Sequence, residues 1–320
     1  MRLDGIRVID LARLLPGAYC TQLLAQQGAD VLMIEPPGGE PLPGLPAGST
    51  VLEPFYRGKQ RITLDLRSDP GRDAFFEQLA RADVLVEGFR PGVMERLDLG
   101  YAALRLRRPE LVYCAITGYG STGPLSQRAG HDLNYLARSG ALSLMPLADG
   151  LPVIPGLQMA DLAGGLMAAY LVAAALAKRE KTGSGQRVEV SMSDVIQGWT
   201  AVGGAARRAG LPSVGLSGEL PCYRVYRVTD GFITIGALEP RFWLNLCNTL
   251  QRPDLVSRQF DPSATAELAE IFQRRSRREW VARFQGVDAC LEPVLSLAES
   301  EDVASTPGTA LAEEPLPDQP

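Results

Sequence analysis

At 320 residues, 46% hydrophobic and 22% charged, the chain is long enough for about two domains and apolar enough to bury a core, which excludes disorder along its whole length. A formal net charge of −5 excludes a general attraction to nucleic acid or to an anionic membrane surface. Five cysteines without CxxC spacing read as free thiols of a reducing compartment, and a single histidine, His131, excludes any zinc site built on two imidazoles.

The first half alternates strand and helix patterns. Gly5–Asp10 (GIRVID) reads as a strand, Gly17–Gly28 as a helix ended by glycine, and Asp30–Glu35 (DVLMIE) as a second strand stopped by Pro36 and Pro37. Ile62–Leu66 reads as a further extended piece. Asp69–Arg81 reads as a helix, with Asp69 as its N-cap and Pro70 at the first helical position. Asp83–Glu87 and Leu111–Thr117 are further strands. Such alternation predicts an α/β fold with a parallel sheet covered on both faces. Helices are expected at Asp132–Leu144 and Asp161–Lys178, a strand at Arg187–Ser191 and a helix at Asp194–Ala209. Beyond Pro212 the strand patterns Cys222–Val228 and Phe232–Gly236 flank Asp230-Gly231, the pair favoured by a type I′ hairpin. Helices follow at Pro240–Leu250 and Ala264–Arg275. A third begins at Ser276, where Glu279 completes a capping box. The last twenty residues, rich in Pro, Ala and Glu, read as a loose tail. Arg2, Asp4 and Arg7 argue against a signal peptide. The uncharged run Leu162–Ala177 falls short of the ~20 residues of a membrane span, so the expected location is the cytoplasm.

Several positions could carry chemistry. Gly118, Gly120 and Gly123 have dinucleotide-loop spacing, but Pro124 follows, and no helix opens there to receive a pyrophosphate. They read as a glycine-rich loop. His131, in Ala129-Gly130-His131-Asp132, stands at a helix start where Gly130 permits close approach of a ligand. It reads as either a structural histidine or a base. Asp161 is either an N-cap or a carboxylate base or nucleophile. Glu239 precedes the Pro240 helix. Arg57 with Lys59, and Arg90, place positive charge beside glycine and proline turns that could hold phosphates or simply be solvated.

Together the strings LDGIRVIDLARLLPG, GADVLMIEPPGG, RGKQRITLDL, ADVLVEGFRPGVMERLDLGY, LVYCAITGYGSTGP, AGHDLNYLARSG, TGSGQRVEVSMSD and DGFITIGALEPRFW, in order from residue 3 to about residue 295, resemble the class III CoA-transferase superfamily. Within it they are most similar to the α-methylacyl-CoA racemases. The resemblance implies a Rossmann-like CoA-binding domain over residues 1–190, a linker helix over 191–215, a small α+β domain over 216–300 and a tail over 301–320. It also implies an interlocked homodimer whose active site joins the large domain of one chain to the small domain of the other. His131 and Asp161 resemble the bases on the two faces of the substrate α-carbon, and Glu239 resembles the residue that orients the histidine. Gly130, Asp132 and Tyr135 resemble pocket residues, the Asp132 amide being the donor to the thioester oxygen. Arg57, Lys59 and Arg90 resemble positions near the CoA phosphates.

The implied reaction is epimerisation of a 2-methylacyl-CoA by two-base proton transfer, with no cofactor beyond the CoA of the substrate. The rival within the superfamily is CoA transfer with Asp161 as nucleophile, and a catalytically silent acyl-CoA-binding protein is a third possibility. Tyr56 departs from the asparagine usual before RGK, and the likeness fades after Ala298.

Overall fold

The computed structural model describes residues 2–39, 51–211 and 216–304, so most of the expected tail and residues 212–215 of the expected linker lie outside the described residues. The chain divides into two units between Ala205 and Ala206, inside the stretch read as a linker.

In the first unit the alternation of the sequence becomes β1 (Arg7–Asp10), α1 (Leu15–Gln26), β2 (Asp30–Glu35), α2 (Glu53–Tyr56), β3 (Gln60–Thr63), α3 (Asp69–Leu79) and β4 (Val84–Glu87). Then come α4 (Val93–Arg96), α5 (Tyr101–Arg107), β5 (Val112–Thr117), α6 (Asp132–Ser139), the short pair β6 (Leu147–Ala148) and β7 (Leu151–Pro152), α7 (Met159–Thr182), β8 (Arg187–Ser191) and α8 (Met192–Trp199), and the division between the units falls within α9 (Ala201–Arg208). Six strands form one parallel sheet in the order β3-β2-β1-β4-β5-β8. The strands run outward from β1 to β3, and the chain then returns to lay β4 on the other side of β1. That reversal opens a crevice at the carboxyl ends of β1 and β4.

Strands β4 and β5 are buried at every residue, as expected for the centre of a sheet covered on both faces. Cys20 and Leu24 of α1, Leu136 of α6 and Val172 and Leu176 of α7 pack on one face. Phe75 and Leu79 of α3 and Leu104 of α5 pack on the other. Although α7 has the length and apolarity of a membrane span, half of its apolar window is buried inside the protein. It lies so close to α1 that a Cβ on Gly165 would meet the Pro16 carbonyl at 2.4 Å.

Local boundaries differ from expectation for identifiable reasons. Ser68, not Asp69, caps α3, its hydroxyl accepting the Gly71 amide at 3.1 Å. Gly140, at φ 87°, stops α6 five residues early and leaves Ala141–Leu144 as a 3₁₀ turn. Asp161 is not an N-cap, because α7 opens two residues before it at Met159.

Lys59 requires a larger correction. Its side chain is fully buried behind the sheet edge and does not face a ligand cavity. Its ammonium donates to Asp10 Oδ2 (3.1 Å), the Ala18 carbonyl (3.0 Å) and Thr21 Oγ1 (2.5 Å), which uses all three of its protons. Asp10, also fully buried at the end of β1, needs this countercharge. Its other oxygen accepts the Ala12 amide at 3.0 Å. The substituted neighbour Tyr56 is buried, with the Lys59 ammonium 5.6 Å from its ring centre.

The second unit is a three-stranded antiparallel sheet, β11-β10-β9, covered by helices. Its elements are β9 (Tyr223–Val228), β10 (Gly231–Gly236), α10 (Pro240–Leu250), α11 (Ala264–Phe272), α12 (Arg277–Phe284), β11 (Leu291–Pro293) and α13 (Leu297–Ala304). Trp243, Phe272 and Trp280 fill its core, and both indoles donate to backbone carbonyls, those of Leu255 (3.0 Å) and Phe272 (2.9 Å) respectively. The Ser276–Glu279 capping box forms as expected, with bonds of 2.8 and 3.2 Å. The hairpin does not take the expected type I′ form. Gly231 pairs with Val228, so the two loop residues are Thr229 and Asp230, and neither has positive φ.

Replacing Lys59 by Met leaves the Asp10 carboxylate buried without its countercharge. Chemical denaturation should show a loss of about 3–5 kcal/mol, far more than an exposed lysine would give.

Candidate active site

The crevice predicted by the strand order is occupied by a cavity of about 860 Å³. Its walls are the segments leaving the carboxyl ends of the sheet: Leu11–Leu14 after β1, Leu64–Arg67 after β3, Gly88–Pro91 after β4 and Thr117–Tyr119 at the end of β5. Gly130, His131, Asn134, Tyr135 and Asp161 close it from the helix side. Two catalytic candidates, His131 and Asp161, therefore face one cavity, although thirty residues separate them in sequence.

Local chemistry explains their positions. His131 is the N-cap of α6, exposed, with its amide donating to Asn134 Oδ1 at 3.0 Å. The carboxylate of Asp132, first residue of the same helix, reaches across to α7. It accepts the amides of Ala160 (2.7 Å) and Asp161 (3.1 Å), two of the orphan donors at that helix start. Gln158, the formal N-cap of α7, supplies no such bond. The Asp132 side chain is thus spent on clamping two helices together, which leaves its amide as the group expected at the pocket.

Tyr135 lies beneath, buried, with its hydroxyl donating to the Gly130 carbonyl at 2.5 Å and its ring edge-on to Tyr119 at 5.1 Å. A Cβ on Gly118 would lie 2.4 Å from this ring, and one on Gly130 would lie 2.8 Å away. Both glycines are therefore required by packing on Tyr135, and Gly118, the first glycine of the loop, lines the cavity.

Burial, and next the nearby Asp132 carboxylate, push the Asp161 carboxyl up to about 7. The Tyr135 hydroxyl is pushed up to about 12, chiefly by burial and then by Asp161. At the end of β4, Glu87 is 6% exposed, and burial raises it to about 7.

Four arginines line the cavity: Arg13, Arg67, Arg90 and Arg128. Only Arg90 was singled out from sequence. The others follow strands β1 and β3 or precede His131, and the rule that ligands sit outside the carboxyl ends of parallel strands was the signal that pointed to them. Arg57, exposed at the end of α2, is not among the cavity residues. Glu239 is exposed at the N-cap of α10 in the second unit. Among the described residues no cluster of three or more His, Cys, Asp or Glu side chains could hold a metal ion.

Residues 3–311 match the family model described as CoA-transferase family III. The chain is 35% identical to human alpha-methylacyl-CoA racemase over 314 residues, covering 93% of this chain and 79% of the racemase. It is 36% identical to the probable fatty acyl-CoA transferase Rv3272 of Mycobacterium tuberculosis, covering 90% and 82% respectively. A crystal structure of Rv3272 superposes with a TM-score of 0.79 at 33% identity, over 95% of this chain and 86% of that one.

The site geometry gives a pH prediction. In the folded state Asp161 binds its proton more tightly than an ordinary aspartate, so its ionisation destabilises the fold as pH rises. Asp161→Asn should match wild-type stability below about pH 4, gain between there and pH 7, and be more stable by up to about 4 kcal/mol above it. Denaturation curves from pH 4 to 8.5 check this. Asp132→Ala should cost about 1–2 kcal/mol through the lost cap and lower the titration midpoint of Asp161, which carboxyl NMR would follow.

Proposed function

Because the chain belongs to CoA-transferase family III, we propose that it epimerises 2-methylacyl-CoA thioesters by passing the α-proton between His131 and Asp161. The observation that carries this reading is the pairing in one cavity of the chain's single imidazole with a carboxyl raised to about 7. A carboxyl raised to about 7 populates both protonation states at neutral pH, so it can give or take a proton opposite the imidazole. An ordinary aspartate, some three units more acidic, would serve only as a base.

One base removes the α-proton, and the electron pair of the C–H bond moves into the thioester to give an enolate. The other, protonated, returns a proton to the opposite face of the carbon. The Asp132 amide, in the first turn of α6, is the proposed donor to the enolate oxygen. The cavity arginines suit the phosphates of CoA, and Tyr119, Tyr135 and Met192 suit an apolar acyl group. The reaction needs no cofactor beyond the CoA carried by the substrate. Glu239 is proposed to orient His131 within a homodimer, and the enzyme is proposed to be cytoplasmic. The Glu239 and homodimer assignments rest on the family resemblance, and the location rests on the free thiols expected of a reducing compartment.

A second reading is CoA transfer. It is favoured by the near-equal identity to a transferase and by the Asp161 carboxylate on the cavity wall, the proposed nucleophile toward the thioester carbonyl. In that reaction the Asp161 carboxylate forms a mixed anhydride and releases the CoA thiolate, which attacks the aspartyl carbonyl to give an enzyme thioester and expel the donor carboxylate. The acceptor carboxylate then displaces CoA to form a second anhydride, and CoA attacks its acyl carbon to give the new thioester and free Asp161.

Incubating one epimer of a 2-methylacyl-CoA with the protein in D₂O separates the two readings. Epimerisation with α-deuterium uptake is expected, and His131→Ala should lower its kcat by about 10²–10⁴-fold. CoA passing to an added carboxylate without α-exchange assigns transfer instead, and CoA binding without either reaction assigns a silent binding protein.

A further inference from the structure

Resting on the reading that the cavity takes a CoA thioester, we propose that Glu87 is a positioning residue that holds the arginine-bearing wall in its CoA-binding form. Glu87 does not line the cavity. It is the last residue of β4, and its carboxylate turns into the interior behind the cavity wall. There Oε2 accepts the Phe89 amide at 2.7 Å, and Oε1 accepts the Tyr113 hydroxyl at 3.2 Å. Behind it lies a separate hollow of about 180 Å³ that Glu95, Ser121 and Arg187 also border.

The Phe89 bond matters because the segment it fixes carries or contacts three parts of the cavity. Phe89 lies under the Arg13 guanidinium, 4.7 Å from its ring centre. Arg90 follows directly and lines the same space. The Pro91 carbonyl accepts Gln127 Nε2 at 3.1 Å, which ties this wall to the segment entering His131. Glu87 is thus the buried anchor of a turn on which two cavity arginines depend. Its replacement by a group that accepts nothing frees the Phe89 amide and with it the placement of Arg90 and Arg13. A group acting in this way affects ground-state binding of CoA and leaves the proton transfers to His131 and Asp161.

Calorimetric titration with free CoA tests this in the full chain. Glu87→Ala should weaken CoA binding by about tenfold or more. Glu87→Gln, whose carbonyl still accepts the Phe89 amide, should stay within about threefold of wild type. With acyl-CoA the Ala variant should show a raised KM, with kcat at saturation changed by less than about threefold. Adding Arg90→Ala to Glu87→Ala should cost less than Arg90→Ala costs alone, since both act on one contact.

If Glu87→Ala does not fold, Glu87→Met keeps the volume, removes the acceptor and carries the same expectations. Wild-type CoA affinity in a folded acceptor-less variant overturns the proposal, as does a fall in kcat at unchanged KM or strict additivity with Arg90→Ala. Failure of the wild-type chain to bind CoA overturns the reading of the cavity and this proposal with it.

Discussion

The Asp132 carboxylate accepts two amides from the start of α7 while its own residue opens the helix that His131 caps. Two helix N-termini are thereby held to one side chain, and the rest of the site follows from that contact. It brings the sequence-distant residues 131 and 161 to one cavity. It also sets a second carboxylate next to Asp161, so the clamp that locates Asp161 helps to raise its affinity for a proton. Position comes from this contact, and proton affinity comes from burial first and from the same contact second.

The sheet supplies the other constraint. Its order reverses between β1 and β4, and each of these strands ends in a buried carboxylic acid, Asp10 or Glu87. Their partners differ. Asp10 meets an ammonium and a hydroxyl, Lys59 and Thr21, in a fully buried ion pair. Glu87 is met by neutral donors only, an amide and a phenol, and burial raises it to about 7. The first arrangement locks the strand end against α1 and the Lys59 turn. The second holds a cavity wall by hydrogen bonds from an uncharged amide and a phenol.

Much of this was legible in the sequence because the strands and helices are short-range patterns. The runs GIRVID, DVLMIE and DVLVE, and the glycine and proline stops after them, mark a parallel α/β fold, and the AGHD and Asp161 strings mark the helix starts that face the cavity. Long-range partnerships were not legible. Lys59 sits in an RGK turn that resembles a phosphate loop, and only the fold reveals that Asp10, forty-nine residues earlier, captures its charge. Asp132 resembles a pocket residue because it adjoins His131, yet its side chain turns to a helix start twenty-eight residues on. Glu87 ends an apolar run and gives no sign of being buried. Arg13, Arg67 and Arg128 are three arginines among twenty-nine until the strand order makes their loops neighbours.

The same contacts bear on how one family can house both racemases and transferases. Both reactions need a carboxylate beside a thioester, and they differ in whether it meets the α-proton or the carbonyl carbon. A nucleophile works best as a free anion, so burial next to a second carboxylate opposes it by keeping the group protonated near neutral pH. A proton-transfer partner is helped by the same environment, because its task requires both protonation states to be populated. Asp161, raised to about 7 and clamped by Asp132, has the second environment, and His131 lines the same cavity. At this site burial first, and the Asp132 carboxylate second, set which protonation states of Asp161 are populated.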